Sequence, residues 1–271
     1  MKIVSFNVNG LRSRFHQLQA VVDKHSPDII ALQETKVQDQ DFPISAVQSL
    51  GYQAVWSGQK THYGVAILSR LALARPQAGF QDDGPQAQRR FIAATLPLDN
   101  GQVLRILNGY FPQGENRAHP EKFPNKKRFF AGLLDHLASH EDASERLVVV
   151  GDMNVAPTDL DVGIGQDNAK RWLRSGKCSF LPEERDWLEQ ILAWGLIDTY
   201  RHLNGAGPSA FSWFDYRSRG FERTPRRGLR IDLILATTPL LNCCVAAGID
   251  YDIRGMDRPS DHAPVWAEFD L

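Results

Sequence analysis

The chain has 271 residues, of which 42% are hydrophobic, so it can bury a substantial core. Its formal net charge of −1 argues neither for nor against a nucleic-acid partner, and its three cysteines form no C-x-x-C pair and leave an odd thiol, which agrees with a cytosolic protein. Without a linker-like segment, a signal sequence or an apolar run of membrane-spanning length, we expect one domain over residues 1–271, located in the cytoplasm and not in a membrane.

Short apolar, β-branched runs dominate the chain and predict strands. In chain order they are IVSFNV (3–8), DIIALQ (28–33), GVAILS (64–69), FIAATL (91–96), VLRILNGY (103–110), LVVVGD (147–152), LRIDLILA (229–236) and APVWAEF (263–269). Helical periodicity follows the first run at Leu11, Phe15, Leu18 and Val22, and precedes LVVVGD at Phe130, Leu133, Leu134 and Leu137. A further helix should begin at Pro182, which two glutamates follow, and end before Gly195. The helices are too few to cross over after every strand, so we expect two packed sheets with helices on their outer faces.

Polar side chains interrupt nearly every predicted strand near its end. The interruptions are Asn7 and Asn9, Gln33 and Glu34, Asn108 and Tyr110, Asp152 and Asn154, Asp232, and the pair Asp261 and His262. Taken singly, each has an ordinary structural explanation as a turn or solvated residue. An unpaired buried charge costs several kcal/mol, however, whereas a whole domain is stable by only ~5–15 kcal/mol. The set should therefore be paired internally or bind a hard divalent cation with oxygen ligands, Mg²⁺ or Mn²⁺.

The sequence gives little support for a zinc-protease, nucleotide-binding or serine-hydrolase site. His136 and His140 are four residues apart, but the segment HLASH lacks the glutamate of a zinc-protease motif. The segment GIGQDN lacks the third glycine of a dinucleotide cradle, and neither GK[ST] nor G-x-S-x-G occurs.

We interpret Asp232 and His262 as a pair. A carboxylate inside an apolar strand needs a partner, and an imidazole beside a carboxylate gains a fixed tautomer and a raised pKa. With a divalent cation and with Asp152 within reach of a water, such a pair would suit in-line hydrolysis of a phosphodiester. Two basic segments agree with a phosphate-bearing substrate. Residues 216–230 hold six arginines against a single Glu222, and residues 170–177 add further cations without an acid.

The sequence resembles the exonuclease III family of abasic-site endonucleases, within the endonuclease/exonuclease/phosphatase superfamily. The resemblance covers essentially the whole chain, through SFNVNGLRSR, LQETK, GQKTHYGVAILS, NGYFPQGE, GDMNVAPTDLD, RWLRSGKCSFLPEER, SWFDYRSRG, LRIDLILA and PSDHAPVWAEF. It implies a DNase I-like, four-layered α/β sandwich of two packed mixed β-sheets flanked by helices. It also implies a Mg²⁺-dependent repair nuclease that degrades duplex DNA 3′ to 5′, incises 5′ to abasic sites and clears blocked 3′ ends, including 3′ phosphates.

The resemblance assigns a role to each polar strand end of the site. Glu34 would be the principal metal ligand, with Asn7 beside it and Asp261 across the ion. Asp152 would activate water or protonate the leaving oxygen, and Asn154 would orient water and phosphate; both would lie at the metal. Tyr110 would contact the scissile phosphate, while Asp232 would hold His262 against a phosphate oxygen.

The resemblance also implies a DNA-binding set. Trp213 would form the wall of the pocket that receives the flipped abasic sugar, and Gln113 and Arg217 would probe the two grooves. Arg89, Arg90, Lys122 and the basic segments would track phosphates. One departure is visible: the segment GFERTPRRGLR is longer and more basic than is typical of the family, which bears on duplex affinity and on the balance of activities.

Two alternatives remain open at this point. A small-molecule phosphatase on the same scaffold would share the metal and histidine residues but lack SWFDYR and the flanking arginines. A DNA-binding protein with an inactive site would have lost at least one of Glu34, Asp152, Asp232 or His262. All these features are present, so we expect an active nuclease that acts as a monomer on double-stranded DNA.

Overall fold

The computed structural model describes residues 1–98, 101–207 and 210–271. Its strands are β1 (Lys2–Asn7), β2 (Ile29–Gln33), β3 (Gln53–Ser57), β4 (Val65–Ser69), β5 (Ala74–Ala78), β6 (Phe91–Pro97), β7 (Val103–Tyr110), β8 (Leu147–Asp152), β9 (Leu196–Asp198), β10 (Asp232–Thr237), β11 (Cys244–Ile249) and β12 (Val265–Phe269). The α-helices are α1 (Phe15–His25), α2 (Ile44–Ser49), α3 (Lys122–His140), α4 (Gln166–Ser175), α5 (Pro182–Ala193), α6 (Thr199–Asn204), α7 (Thr238–Leu241) and α8 (Tyr251–Arg254).

The strands form two six-stranded mixed sheets. The first has the order β11-β12-β1-β2-β4-β3 and the second β5-β6-β7-β8-β10-β9. In each sheet one central pair is parallel, β1 with β2 and β7 with β8, and the other neighbours are antiparallel. The predicted pair of packed mixed sheets is therefore confirmed.

Apolar side chains fill three layers of core. Between the sheets, Ile3, Ile29 and Ile67 pack with Ile106, Val148 and Ile234. On the outer face of the first sheet, Val4, Phe6 and Ile30 pack against Leu18 and Val21 of α1. On the outer face of the second sheet, Leu107 and Val149 pack against Phe130 and Leu133 of α3 and Leu188 of α5. Because each central strand is covered on both faces, its sequence is a nearly continuous apolar run rather than an alternating one.

A buried polar network joins the two sheets near the same end of the strands. The Gln33 amide donates to Asn108 Oδ1 (2.8 Å) and to Ser5 Oγ (3.0 Å). The Asn108 amide donates to the carbonyl oxygens of Leu32 and Ala66, both at 2.9 Å. These two strand-end residues are therefore joined by one hydrogen bond within a network across the sandwich, which gives their polarity a structural role outside the site.

Gly151 explains the first break in the apolar run LVVVGD. It lies opposite Gly109 in the parallel β7–β8 pair and has a φ of 143°. A Cβ at position 151 would lie 1.9 Å from the Gly109 carbonyl oxygen, so a side chain has no room there. This close approach brings the next pair of residues in register, Tyr110 and Asp152, side by side.

None of the helices within the described ranges has the length and hydrophobicity needed to cross a bilayer.

Candidate active site

Because of the strand directions, the predicted catalytic and metal-binding residues at the strand ends lie at one end of the sandwich. The parallel strands β1, β2, β7 and β8 all run toward this end, where Asn7, Glu34, Tyr110 and Asp152 lie at or just beyond the last strand residues. Strand β10 is antiparallel to β8 and begins at the same end, so that Asp232 pairs in register with Asp152. Strand β12 is antiparallel to β1, which places the preceding His262 there as well.

His262 is held by both oxygens of Asp232. Its Nδ1 lies 2.8 Å from Oδ2 and 3.0 Å from Oδ1, and the two residues are 4% and 2% exposed. Burial alone lowers the pKa of His262, but the carboxylates of Asp232 and Asp152 outweigh that effect and raise the pKa to about 10. A pKa raised in this way favours a positively charged imidazole at neutral pH.

The Asp152 carboxylate lies at the centre of the site. Its Oδ2 accepts hydrogen bonds from the side chains of Asn7 (2.9 Å) and Asn154 (3.0 Å), and lies 3.7 Å from His262 Nε2. Its Oδ1 accepts the backbone N–H of Asn154 at 3.0 Å. Burial raises the pKa of Asp152 to about 7 against the lowering effect of His262, which suits a group that exchanges a proton near neutral pH.

Glu34 and Tyr110 form the neighbouring part of the site. Glu34 follows β2 with a φ of 56°, a left-handed conformation uncommon for a side-chain-bearing residue, and its Oε1 pairs with Lys36 Nζ at 2.9 Å. Burial and the carboxylates of Glu34 and Asp152 raise the pKa of Tyr110 well above its usual value. Tyr110 therefore remains a neutral hydroxyl that can donate a hydrogen bond.

Asp261 links the site to the predicted DNA-binding tryptophan. Its Oδ2 accepts the indole N–H of Trp213 at 2.9 Å, and its Oδ1 accepts the side-chain amide of Asn9 at 2.8 Å. Asp261 therefore fixes the orientation of Trp213, a role that the sequence prediction did not include.

A cavity of about 440 Å³ opens over this cluster. Its walls include nine of the predicted residues, namely Glu34, Tyr110, Gln113, Asp152, Asn154, Trp213, Arg217, Asp261 and His262. A larger cleft of about 1120 Å³ lies along β5 and the end of α3, but none of the predicted site residues lines it. The smaller cavity is therefore the candidate active site.

Five residues individually assigned to the site or to DNA contacts do not line the cavity, namely Asn7, Asp232, Arg90, Lys122 and the exposed Arg89. Asn7 is fully buried beneath it and Asp232 lies behind His262. Arg90 is only 8% exposed, and its guanidinium stacks between the rings of Tyr63 and Tyr110 while NH1 donates to the Tyr110 carbonyl. Lys122 is exposed and pairs with Glu115. In this structure Arg90 supports Tyr110, and Lys122 lies on the surface with its charge already paired.

The donors at the site fit a hard divalent cation. Asp152, Asp232 and His262 offer ligand atoms within 4.8 Å of one another, so this acidic and histidine cluster could hold a metal ion. The Nδ1 atom of His262 is engaged by Asp232, however, so the other candidate ligand atoms around Asp152 and Glu34 are carboxylate and amide oxygens. Oxygen donors favour Mg²⁺ or Mn²⁺ over zinc.

Sequence reasoning did not assign a role to several residues that shape this site. Ser212 Oγ accepts the backbone N–H groups of Ile231 and Asp232 and so fixes the start of β10. Lys36 and Asn9 hold Glu34 and Asp261, as described above. The sequence could have indicated Lys36, because it follows Glu34 by two residues in LQETK. The contact of Ser212 with Asp232 spans twenty residues and has no such local signal.

Comparison with known proteins agrees with this geometry. The model of the endonuclease/exonuclease/phosphatase family matches residues 4–262. The exodeoxyribonuclease III of Haemophilus influenzae is 52% identical over 269 residues, which cover 99% of this chain and 100% of that protein. Among solved structures, a 3′-5′ exonuclease from Neisseria meningitidis has a TM-score of 0.87 at 37% identity, and an AP endonuclease from Archaeoglobus fulgidus has a TM-score of 0.88 at 34% identity. Each of these two comparisons covers 100% of both chains, which confirms the DNase I-like sandwich. The chain therefore belongs to the endonuclease/exonuclease/phosphatase family.

Proposed function

We propose that this protein is a Mg²⁺-dependent DNA repair nuclease that combines three activities. It degrades duplex DNA from 3′ ends, incises 5′ to abasic sites and removes 3′ phosphates and other 3′ blocks. The observation that carries the proposal is that Asp152 and a positively charged His262 meet at 3.7 Å in a cavity that Glu34 and Trp213 also line. Carboxylates, a positive charge near the phosphate and an aromatic side chain in the pocket wall suit the hydrolysis of a phosphodiester at an extrahelical nucleotide.

Glu34, Asn7 and Asp261 would hold the cation, with Asp152 and Asn154 close to it. Glu34 lines the cavity, and its Oε1 is paired with Lys36. When bound, the cation would act as a Lewis acid on the phosphate oxygens. Mg²⁺ fits this oxygen-rich set best, and Mn²⁺ has similar ligand preferences.

The protein side chains supply the proton transfers and the remaining charge. With a pKa of about 7, Asp152 can take a proton from water or give one to the leaving 3′ oxygen. His262, held protonated by Asp232, would stabilise a phosphate oxygen, and the neutral Tyr110 hydroxyl would donate a hydrogen bond to the scissile phosphate. Asn154 donates to Asp152 and so would orient water and phosphate relative to it.

The DNA-binding residues surround the cavity. Trp213, fixed by Asp261, would form the wall that receives an abasic sugar, and the exposed Gln113 and Arg217 would probe the duplex on either side. Lys122 would exchange its surface partner Glu115 for a phosphate, and Arg90 would act near the phosphates from beneath Tyr110. Base extrusion costs a few kcal/mol, least where the base is missing, which favours abasic substrates.

We also propose the oligomeric state and the cellular compartment in which the protein acts. The residues proposed for catalysis and for the pocket wall are complete within one chain, so the proposed activity needs no second subunit and we propose that the protein acts as a monomer. Cys178, Cys243 and Cys244 are free thiols, as expected in a reducing compartment such as the cytoplasm.

A small-molecule phosphatase on this scaffold is less well supported than a nuclease. Trp213 and Arg217 line the cavity, and the Neisseria 3′ phosphatase, with a TM-score of 0.88 at 38% identity, was solved bound to a product DNA hairpin.

A side-by-side rate comparison tests the proposal. Purified protein is given duplexes with an abasic site, a 3′ phosphate or an unblocked 3′ end, and a small phosphomonoester, each with Mg²⁺ and with EDTA. We expect Mg²⁺-dependent cleavage of all three duplexes and none of the phosphomonoester. Asp152→Asn should bind the abasic duplex but lose several orders of magnitude in turnover, whereas the exposed Asp186→Asn on α5 should match the wild type. Intact abasic duplex in the presence of wild-type protein and Mg²⁺ would refute the proposal.

A further inference from the structure

A fully buried ion pair lies directly behind the turn that carries Asn154. Lys126 projects from α3 and Glu184 from the first turn of α5, and neither side chain has any solvent exposure. Lys126 Nζ lies 2.5 Å from Glu184 Oε1. Ordinary core packing does not require such a pair, because apolar residues of similar volume usually stabilise a fold as well or better.

Most hydrogen bonds of this pair are directed at loops around the active site, and one caps the start of α5. The ammonium has three donors, and besides Glu184 it donates to the carbonyl oxygens of Asn154 (2.8 Å) and Gln113 (3.3 Å). The second oxygen of Glu184 accepts the backbone N–H groups of Ser179 (3.0 Å) and Leu181 (2.8 Å). The pair is thus fully satisfied, and its position is fixed by α3, α5 and the two loops that it joins.

The turn at Asn154 has a left-handed backbone conformation, with a φ of 52°. Asparagine adopts this conformation more readily than most side-chain-bearing residues, and contacts from its surroundings fix the direction of its side chain and carbonyl. In this conformation its side-chain amide donates to Asp152 Oδ2 and to the Phe111 carbonyl, both at 3.0 Å. Its own carbonyl is directed to the buried ammonium of Lys126, which prevents an unsatisfied acceptor.

The Gln113 loop packs closely on the same lysine. Gly114 has a φ of 85°, and a Cβ there would lie 3.0 Å from Lys126 Cδ and 2.9 Å from Cys178 Sγ. The loop therefore rests on the aliphatic part of Lys126 while the ammonium holds the Gln113 carbonyl. One buried side chain thereby fixes both the turn beside Asp152 and the loop that carries Gln113.

We infer that Lys126, with its charge balanced by Glu184, is a positioning residue of the nuclease: it sets the Asn154 turn against Asp152 and aligns that turn with the Gln113 loop. The inference rests on the proposed function, since it assigns Lys126 an effect through Asn154 and Asp152. Lys126 itself is fully buried and does not line the cavity, so it would act only through these neighbours.

Four variants separate positioning from simple support of the fold. Lys126→Met keeps the aliphatic stem but removes the ammonium, and Glu184→Gln removes the negative charge while the ammonium still faces Asn154. The double variant removes both charges and so leaves no unpaired buried charge. Lys127→Met, at an exposed neighbouring position on α3, is the control. For each, thermal stability is measured together with kcat and KM on the abasic duplex with Mg²⁺.

We expect Lys126→Met to lower kcat about 10- to 100-fold with KM changed less than about threefold, because small displacements of reacting groups reduce rate strongly. Glu184→Gln should lower kcat less, and the double variant should regain Tm relative to Lys126→Met without regaining kcat. Lys127→Met should match the wild type in all three quantities.

Recovery of kcat together with Tm in the double variant would overturn the inference, because it would show that Lys126 only supports the fold. A kcat within about threefold of the wild type in Lys126→Met, or a loss confined to KM, would overturn it as well. If Lys126→Met alone does not fold, the double variant decides by its kcat. Wild-type cleavage and inactivity of Asp152→Asn test the proposed function separately, so the two failures are distinguishable.

Discussion

Replacement of Asp232 by asparagine would remove the negative charge beside His262 while keeping the size of the side chain. In the wild type, both Asp232 oxygens contact Nδ1, and the pKa of His262 is raised to about 10, so the imidazole is almost fully protonated at pH 7.5. Without the Asp232 carboxylate, the largest effect that raises the pKa is lost, and although Asp152 still opposes the effect of burial, we expect the pKa to fall toward the ordinary value of 6.5. At pH 7.5 a group with that pKa is protonated in no more than about one molecule in ten.

The expected loss of activity follows from that fraction. If His262 acts as a cation toward phosphate, Asp232→Asn should lower kcat on the abasic duplex at least about tenfold at pH 7.5, and up to ~10²–10⁴-fold if the ring also loses its orientation. The pKa itself is measured by an NMR titration of the His262 ring in metal-free protein, with Asp186→Asn as the control variant. A variant whose His262 remains protonated at pH 8, or whose kcat is within about threefold of the wild type, would refute this reasoning.

The pH dependence of stability has a definite sign at His262. Its folded-state pKa lies above the ordinary value of 6.5, so protonation of the ring stabilises the fold fully below pH 6.5 and the contribution is lost as the pH rises toward 10. The Asp232→Asn variant should lack this contribution. In metal-free protein, the difference in Tm between wild type and variant should therefore be largest at neutral and mildly acidic pH and shrink on the alkaline side.

Two further predictions concern the substrate pocket and the fold. Trp213→Ala should reduce abasic incision more than removal of a 3′ phosphate, because only the former needs the wall of the sugar pocket; equal losses in the two assays would contradict the pocket assignment. Asp250 accepts hydrogen bonds from His25 (2.6 Å) and from the Ile253 backbone (3.0 Å), and although burial favours the neutral carboxyl, His25 and Lys24 hold its pKa below the usual range. Asp250→Asn should therefore cost ~1–3 kcal/mol of unfolding free energy near pH 7. A carboxyl whose pKa is lower in the folded state stabilises the fold above pH 3.8, and this contribution is lost as the pH falls toward the folded-state pKa. The difference in unfolding free energy should therefore shrink in acid. A difference independent of pH would contradict the ionic explanation.

Local sequence patterns predicted the elements whose burial is uniform along their length. The runs of β1, β2, β4, β6, β7, β8, β10 and β12 were recognisable because both faces of these central strands are covered. The helix beginning at Pro182 was recognisable from its first turn and from Gly195 beyond its end. The strands β3, β5, β9 and β11 and the helix α4 were not predicted. Strand β5 reads ARPQA and is largely exposed at a sheet edge, and β9 has only three residues, so neither carries a clear strand signal. Helix α4 is mostly polar and has no fully buried residue.

The sequence by itself determined which polar residues could form a site, because the motifs around Glu34, Asp152 and His262 interrupt apolar strands in a way that packing alone does not explain. Only the tertiary structure decided which of them meet. It directed Gln33 and Asn108 into a network between the sheets, placed Arg90 between two tyrosines, and paired Lys126 with Glu184 across 58 positions of the chain. Strand and helix signals arise from neighbours a few residues apart, whereas the contact of Asn7 with Asp152 spans 145 positions. Contacts at that separation depend on strand order, register and the packing of one sheet on the other, which no local pattern encodes.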